Sequence, residues 1–350
     1  MSIGSHKAEL NFDTVREIGH HGRNSKVYIA RDKQLDADIV IKKIAKSDLT
    51  HATEYFREAK ILYASHHPFV VTVNYACEDD DYIYIAMPYY PNGSLKQKIG
   101  TRFLTVREVL RYSLQFLTGL HNIHTKKLLH LDIKPDNILL SNTNEALLSD
   151  FGLSKAMDHL GIANQELVYE KHVPPEAIRS NDRTLHFDIY LAGLTIYRLL
   201  NGDDFFYSQI TFADEDEYIH AVLNGEFPNR SAYLPHIPLK LQRTVNKALS
   251  IDINDRHQNV LELINELSDV SDHIDWQYSK SGSIESWSTE DDERSYKILL
   301  DSSDLTNLKV ESTKTMKRTS NTTKSLGHCY TGLTPRNVMS KVKKALKELS

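Results

Sequence analysis

Apolar and polar positions alternate through the first ninety residues, then change period. "DTVREIGHHGRNSKVYIARD" alternates around a glycine-containing break and predicts two strands joined by a turn. "ADIVIKKI" is β-branched and predicts a third strand. "HATEYFREAKILYAS" places Phe56, Ala59, Leu62 and Tyr63 at helical spacing. "FVVTVNYA" and "DYIYIAMPYY" predict two more strands, split by the acidic turn "CEDDD". Beyond them helical patterns dominate, as in "TVREVLRYSLQFLTGLHNIH" and "DIYLAGLTIYRLLNG". A strand-rich front and a helix-rich back predict an α+β protein of two lobes, with no internal repeat.

The pattern changes again after about residue 270. Residues 285–304 carry seven acidic and two basic side chains, whereas residues 305–350 carry ten basic and two acidic ones, amid dense Ser and Thr. This region reads as a flexible tail or a small appended module. Its divisions are an acidic, Ser-rich linker over 271–304 and a basic segment over 305–350. In "TPRNVMSKVKKALKEL", Thr334 and Pro335 stand as N-cap and first helical residue. Val338, Val342, Leu346 and Leu349 line one face, and Lys341, Lys343, Lys344 and Lys347 fall mostly away from it. Such a helix needs a partner surface: its own globular domain, another protein, nucleic acid or a membrane surface.

Bulk composition narrows the classes. The 350 residues are 40% hydrophobic and 25% charged, with a net charge of −5, which suits a folded protein and makes no whole-chain case for nucleic acid or anionic membrane. Cys77 and Cys329 lie far apart and form no metal or redox spacing, so a reducing, cytoplasmic setting is expected. No apolar stretch approaches the length of a membrane span, and "SIGSHKAELNF" after Met1 lacks a signal-peptide core.

The candidate chemistry is concentrated in "LLHLDIKPDNILL", residues 128–140. His130, Asp132, Lys134, Asp136 and Asn137 crowd between apolar ends, and a buried strand would have to partner each of them. Downstream, in "LLSDFGLS", Asp150 precedes Phe151 and Gly152. Two acids and an amide at such offsets suit a magnesium–nucleotide site, because Mg²⁺ takes carboxylate, amide and phosphate oxygens. Phosphoryl transfer further needs cations on the phosphates and an acceptor placed in line.

These residues resemble a family. "HLDIKPDN" is similar to the catalytic loop of the protein kinases and "DFG" to their metal-binding turn. The resemblance covers roughly residues 12–270, and further landmarks follow in order: "IVIKKI", "FREAKILYASHHPFVV", "YIYIAMPYYPNGSL", "VPPEAI" (Pro174 standing for the usual Ala), "DIYLAGLTIYRLLNG" and "DINDRHQ". It implies a bilobal fold with a small β-rich lobe over about 12–87 and a larger helical lobe over about 92–270. It implies ATP and Mg²⁺ as cofactors, with Mn²⁺ as a possible substitute, and a protein substrate. Asp132 would orient the acceptor hydroxyl and Lys134 would sit on the γ-phosphate. Asn137 and Asp150 would hold the metal. Lys42 would grip the α/β-phosphates, aimed by Glu58. Gly19, Gly22 and Val27 would cover the nucleotide, with Met87 behind the adenine and Pro88 and Tyr90 presenting backbone groups at the hinge. Glu176 and Arg256 would pair as structure, and Asp188 would support the loop.

The sequence also departs from the family pattern. Counted back from Val27, the three loop glycines fall on His20, Gly22 and Ser25, and Gly19 implies a one-residue insertion. Leu131 occupies the place of the Arg that commonly reads an activation-loop phosphate. Between Lys155 and Glu176 there is no Ser or Thr, and the one hydroxyl is that of Tyr169. The missing reader and the missing phosphosite agree, and predict a kinase that activation-loop phosphorylation does not switch. The tail, held by partly ionic contacts, is the expected source of control. "DIKPDN" resembles the Ser/Thr form, while tyrosine or dual specificity stays open. A pseudokinase scaffold is the alternative, and a small-molecule kinase on a related fold a third; "VPPEAI" and "DIYLAG" argue against the third.

Overall fold

The computed structural model describes residues 10–19, 25–49, 56–165, 172–324 and 326–349. Its front is a five-stranded antiparallel sheet in the order β1-β2-β3-β5-β4. The strands are β1 (Phe12–Gly19), β2 (Ser25–Asp32), β3 (Ala37–Ala45), β4 (Tyr75–Glu78) and β5 (Tyr82–Pro88). Ala30, Ile39, Ile41 and Ala86 form its core, as the period-two pattern requires. Helix α1 (Arg57–Ala64) crosses between β3 and β4, burying Ala59 and Leu62. Phe56 precedes the helix in a left-handed conformation (φ 58°), and Tyr63 is 79% exposed, so neither extends the apolar face that the spacing suggested. "FVVTVNYA" is also not one strand. Its first half leaves the sheet: Val70 makes a lone bridge to Leu148, and the Val71 N–H donates to the Leu148 carbonyl, tying this run to the back of the molecule. Strand β4 takes Cys77 and Glu78, and the turn shrinks to Asp79–Asp81.

The larger lobe is helical. After α2 (Leu95–Ile99) comes the long α3 (Val106–Thr125), and both begin with capping boxes, on Ser94–Gln97 and Thr105–Glu108. Short ladders follow: β6 (Leu128–Leu129) with β9 (Lys155–Ala156), and β7 (Ile138–Leu140) with β8 (Ala146–Leu148). Beyond them β10 (Ala163–Asn164) pairs with β11 (Asp182–Arg183) on either side of α4 (Pro175–Arg179). The central helix is α5 (Leu185–Asn201), buried along nearly its whole length, which is why its sequence is apolar on every side. Around it lie α6 (Asp203–Ser208), α7 (Glu215–Leu223), α8 (Leu239–Ala248) and α9 (Val260–Ser268).

The expected acidic linker over 271–304 is not a linker. Those residues carry β12 (Gln277–Ser281), β13 (Ile284–Glu290) and β14 (Arg294–Asp301), which continue into β15 (Leu308–Met316), β16 (Thr322–Lys324) and β17 (Tyr330–Leu333) as one antiparallel sheet. Acidity hid an alternation: Trp287, Ile298 and Leu300 point inward, while much of the negative charge sits in the β13–β14 turn at Glu290–Glu293. The sheet and the final helix α10 (Val338–Glu348) make one small module. Val338, Val342 and Leu346 pack with Trp287, Ile298, Leu300 and Val310, so the partner surface of this helix is the sheet beside it. Its start also differs from expectation. Asn337 is the N-cap, and Thr334 closes a preceding turn, its N–H donating to Asn337 Oδ1 at 2.8 Å.

Candidate active site

The site is assembled where the two lobes meet. On β3, Lys42 pairs in register with Val27 of β2 on one side and Ile85 of β5 on the other. Its ammonium reaches Glu58 Oε1 on α1 at 2.8 Å and Asp150 Oδ1 at 2.9 Å. Three residues far apart in sequence thus converge on one nitrogen. Burial works against the Lys42 ammonium, but Asp150 and Glu58 outweigh it and hold its pKa above the ordinary value. Lys42 draws the Asp150 carboxyl down to about 2 against the effect of burial, whereas burial wins at Glu58 and raises it. Asp150 takes a left-handed backbone (φ 60°) and its carboxylate remains half exposed, facing the cleft.

The loop that follows β6 holds the second cluster. Asp132 receives Lys134 Nζ on both carboxylate oxygens at 2.8 Å and Asn137 Nδ2 on Oδ2 at 2.7 Å. The same Asn137 nitrogen also donates to the Asp132 carbonyl, which turns Asn137 Oδ1 away from Asp132. Asp188, buried in the first turn of α5, accepts the N–H of His130 on one oxygen and of Leu131 on the other, both at 2.8 Å, and also bonds His124. This clamp maintains the left-handed Leu131 (φ 69°), a conformation that a branched residue adopts only when its surroundings over-determine it. Leu131 itself is buried in the core. His130 is a core residue too: its Nε2 lies 3.0 Å from the Ser149 carbonyl, its ring meets Phe151 edge-on, and burial lowers its pKa.

The remaining expected residues spread around the cleft. Val27 faces Gly19 across the β1–β2 ladder, while Gly22 lies outside the described residues, as does Tyr169. Met87 and Pro88 close β5, opposite Val40 and Ile39, and the Tyr90 carbonyl accepts the Gly93 N–H. Glu176 and Arg256 form a two-pronged pair within the large lobe, with both distances 2.7 Å. Two contacts had no motif to announce them: Arg57, next to Glu58, donates to the Ser154 carbonyl, and Arg198 on α5 lies 3.8 Å from Asp136. The donor set fits a magnesium nucleotide, with a half-exposed carboxylate and an amide whose nitrogen is taken up by Asp132, leaving its oxygen as a second hard ligand, and a buried ammonium beside them.

The sequence profile of the protein kinase domain matches residues 12–267. The chain is 29% identical over 261 residues to the serine/threonine-protein kinase PrkC of Bacillus subtilis, covering 72% of this chain and 39% of that protein. It is 26% identical over 264 residues to the probable serine/threonine-protein kinase PknB of Lactococcus lactis, covering 73% and 41%. With Flippase kinase 1 of Saccharomyces cerevisiae it shares 28% identity over 251 residues, covering 63% and 28%. The match therefore spans well under half the length of these relatives.

Proposed function

The chain belongs to the protein kinase family, and from that premise we propose that it transfers the γ-phosphate of ATP to serine or threonine hydroxyls of proteins. The observation that carries the reading is the double convergence of Lys42 with Glu58 and Asp150, and of Asp132 with Lys134 and Asn137. A chain that had given up transfer would have no need to keep both. Bound magnesium ATP supplies the phosphoryl group and the counter-charge for its oxygens. Asn137 Oδ1 and the Asp150 carboxylate would hold the metal. Lys42, kept charged by its two acids, would hold the α/β-phosphates, and Val27, Gly19, Met87, Pro88 and Tyr90 would enclose the nucleoside. The Asp132 carboxylate accepts the hydrogen bond of the acceptor hydroxyl and aims its oxygen, and Lys134 follows the charge onto the γ-phosphate. The two unpaired cysteines agree with action in the cytoplasm. Among the described residues no helix is long and apolar enough to cross a membrane.

Activation-loop phosphorylation is not part of this scheme. The described residues after Asp150, up to 165, are anchored without a phosphate: β9 pairs with β6 and β10 with β11, Arg57 holds the Ser154 carbonyl, and Asp158 Oδ1 accepts the N–H groups of Leu160 and Ile162. Asp188 clamps the catalytic loop from below, a task that needs no Arg at position 131.

Asp132→Asn decides between an enzyme and a scaffold that only binds nucleotide. With labelled ATP, Mg²⁺ and myelin basic protein, the parent chain incorporates label and the variant loses about a thousandfold or more in rate, while ATP affinity holds. A parent chain no faster than the variant would establish the scaffold reading.

A further inference from the structure

The C-terminal module touches the large lobe along two ribs. In the first, Tyr278 of β12 meets Phe103 edge-on with ring centres 4.6 Å apart, and Gln277 Nε2 donates to the Phe103 carbonyl at 2.9 Å. Phe103 in turn occupies the space beside Gly202: a Cβ there would lie 2.9 Å from its Cε1, and Gly202 has φ 84°. In the second rib, Trp287 Nε1 donates to His236 Nδ1 at 3.2 Å, and His236 stacks on Tyr278. Nearby Leu234 packs on the core of the module, and its N–H donates to Asn201 Oδ1 at 3.2 Å. The corner Asn201–Gly202, where α5 passes into α6, is therefore gripped from both sides by residues that the module itself grips.

That corner holds a charged wall. Asp203 receives Arg198 Nε at 2.8 Å and Nη2 at 3.0 Å, and also pairs with Lys96. Arg198 Nη1 lies 3.0 Å from His172 Nε2, and its Nη2 is 3.8 Å from Asp136. Asp136 sits on the loop of Asp132, and His172 lies just ahead of Pro174, Pro175 and Glu176. The wall thus flanks the place where the acceptor hydroxyl would meet Asp132. Arg198 is fully buried, so a corner that drifts leaves a buried cation short of its carboxylate.

We propose that the C-terminal module is a positioning unit for the protein acceptor: Tyr278 and Trp287, acting through Phe103 and Leu234, fix the Asn201–Gly202 corner and so the Arg198–Asp203 wall beside the catalytic loop. This rests on the protein-kinase reading above. Lys42 and Glu58, assigned to the α/β-phosphates, and Met87 and Pro88, assigned to the nucleoside, stand on β3, α1 and β5, away from the wall, which meets the loop of Asp132, Lys134 and Asn137 at Asp136; loosening the junction therefore acts on acceptor binding before it acts on ATP binding. Tyr278 is a positioning residue in this scheme and touches neither substrate.

The test uses the full chain with Tyr278→Ala, Tyr278→Phe and Phe103→Leu, assayed with myelin basic protein and with ATP as separately varied substrates. Tyr278→Ala and Phe103→Leu should raise KM for myelin basic protein about tenfold or more, with KM for ATP within about twofold of the parent. Tyr278→Phe keeps the ring and loses only the hydroxyl bond to Glu285, so it should behave as the parent. The chain has two tryptophans, Trp276 and Trp287, both buried in the module, so their emission should shift red in Tyr278→Ala as the junction loosens. If Tyr278→Ala does not fold, Phe103→Leu, on the opposite side of the junction, decides. Folded variants whose acceptor KM stays within about twofold, or whose KM for ATP rises in proportion, overturn the inference. A parent chain that labels no acceptor overturns the underlying reading instead.

Discussion

At the scale of single residues the cleft turns on one ammonium between two unequal acids. Lys42 pulls Asp150 down to about 2, while Glu58, where burial dominates, is raised. Asp150 is the stronger partner, and its ion pair with Lys42 remains intact across the physiological range. Its sign follows: a depressed carboxyl contributes stability that is present above its unfolded pKa near 4 and lost as pH falls toward 2. Because the carboxylate is half exposed, water screens part of that gain. Lys42→Met removes the field that depresses Asp150 and leaves Glu58 buried without its cation. The variant should lose on the order of a hundredfold or more in kcat while ATP affinity changes less. Its denaturation midpoint should also respond less to pH between about 4 and 2 than that of the parent. Full turnover in Lys42→Met would refute the phosphate role given to this lysine.

Among the elements, close approach and burial set the tolerances. Helix α3 runs so near the segment that ties the small lobe down that a Cβ on Gly119 would lie 2.4 Å from the Phe69 carbonyl oxygen. Gly119→Ala therefore forces backbone apart, and a loss of about 1–3 kcal/mol in urea unfolding is expected. A neutral result would mean that the two segments separate freely. The seam between module and large lobe carries a different sensitivity. His236 accepts the Trp287 N–H on Nδ1, which requires a neutral ring, and burial lowers its pKa to about 4. A histidine depressed in the fold stabilises it fully above its unfolded pKa of about 6.5, and the stabilisation drains away as pH falls from there toward 4. The junction should thus weaken between about pH 6.5 and 4. Tryptophan emission and thermal melts measured across that range should follow the weakening, and His236→Phe should flatten it. A parent chain whose junction is indifferent to pH would show that the ring does not titrate there.

For the whole molecule, the kinase proposed above works without a phosphate on its activation loop. Lys42 meets Glu58, the Asp150 carboxylate is half exposed, and the described residues of the segment beyond it, up to 165, are tied by two short ladders. Full-length protein treated with phosphatase should keep most of its initial rate, with no lag when ATP is added. A lag that disappears on pre-incubation with ATP would point to self-phosphorylation as the switch. The contacts that join the C-terminal module to the large lobe are mainly rings rather than the ionic contacts expected of a tail. The junction is built of Phe103, Tyr278, Trp287 and His236, with Arg107 and Asp275 paired at its rim, so salt should affect it less than truncating a ring does.

The sequence by itself determined the lobes, their order and most of the cleft. Period-two and helical runs mark where each element must bury one side, and the polar residues crowded into 130–137 have no use in an ordinary strand. Asp132, Lys134, Asn137 and Asp150 could be found because the chemistry packs them into short, unusual words. Tertiary structure alone decided what depends on distance. The family resemblance pairs Lys42 with Glu58 and sets Asp188 under the loop, but nothing local says that Asp150 shares the Lys42 nitrogen, that Asp188 takes the N–H groups of His130 and Leu131, or that Arg198 stands beside Asp136, because each joins segments folded together only by the core. The same reason explains the errors. Tyr63 lies on the helical stripe yet faces outward, and Val70 pairs with Leu148 of the large lobe instead of continuing its strand, both set by segments distant in sequence. The acidic, Ser-rich stretch over 271–304 read as a linker because charge is visible along a chain, whereas the sheet that buries Trp287 and Ile298 exists only once β13, β14 and β15 lie side by side.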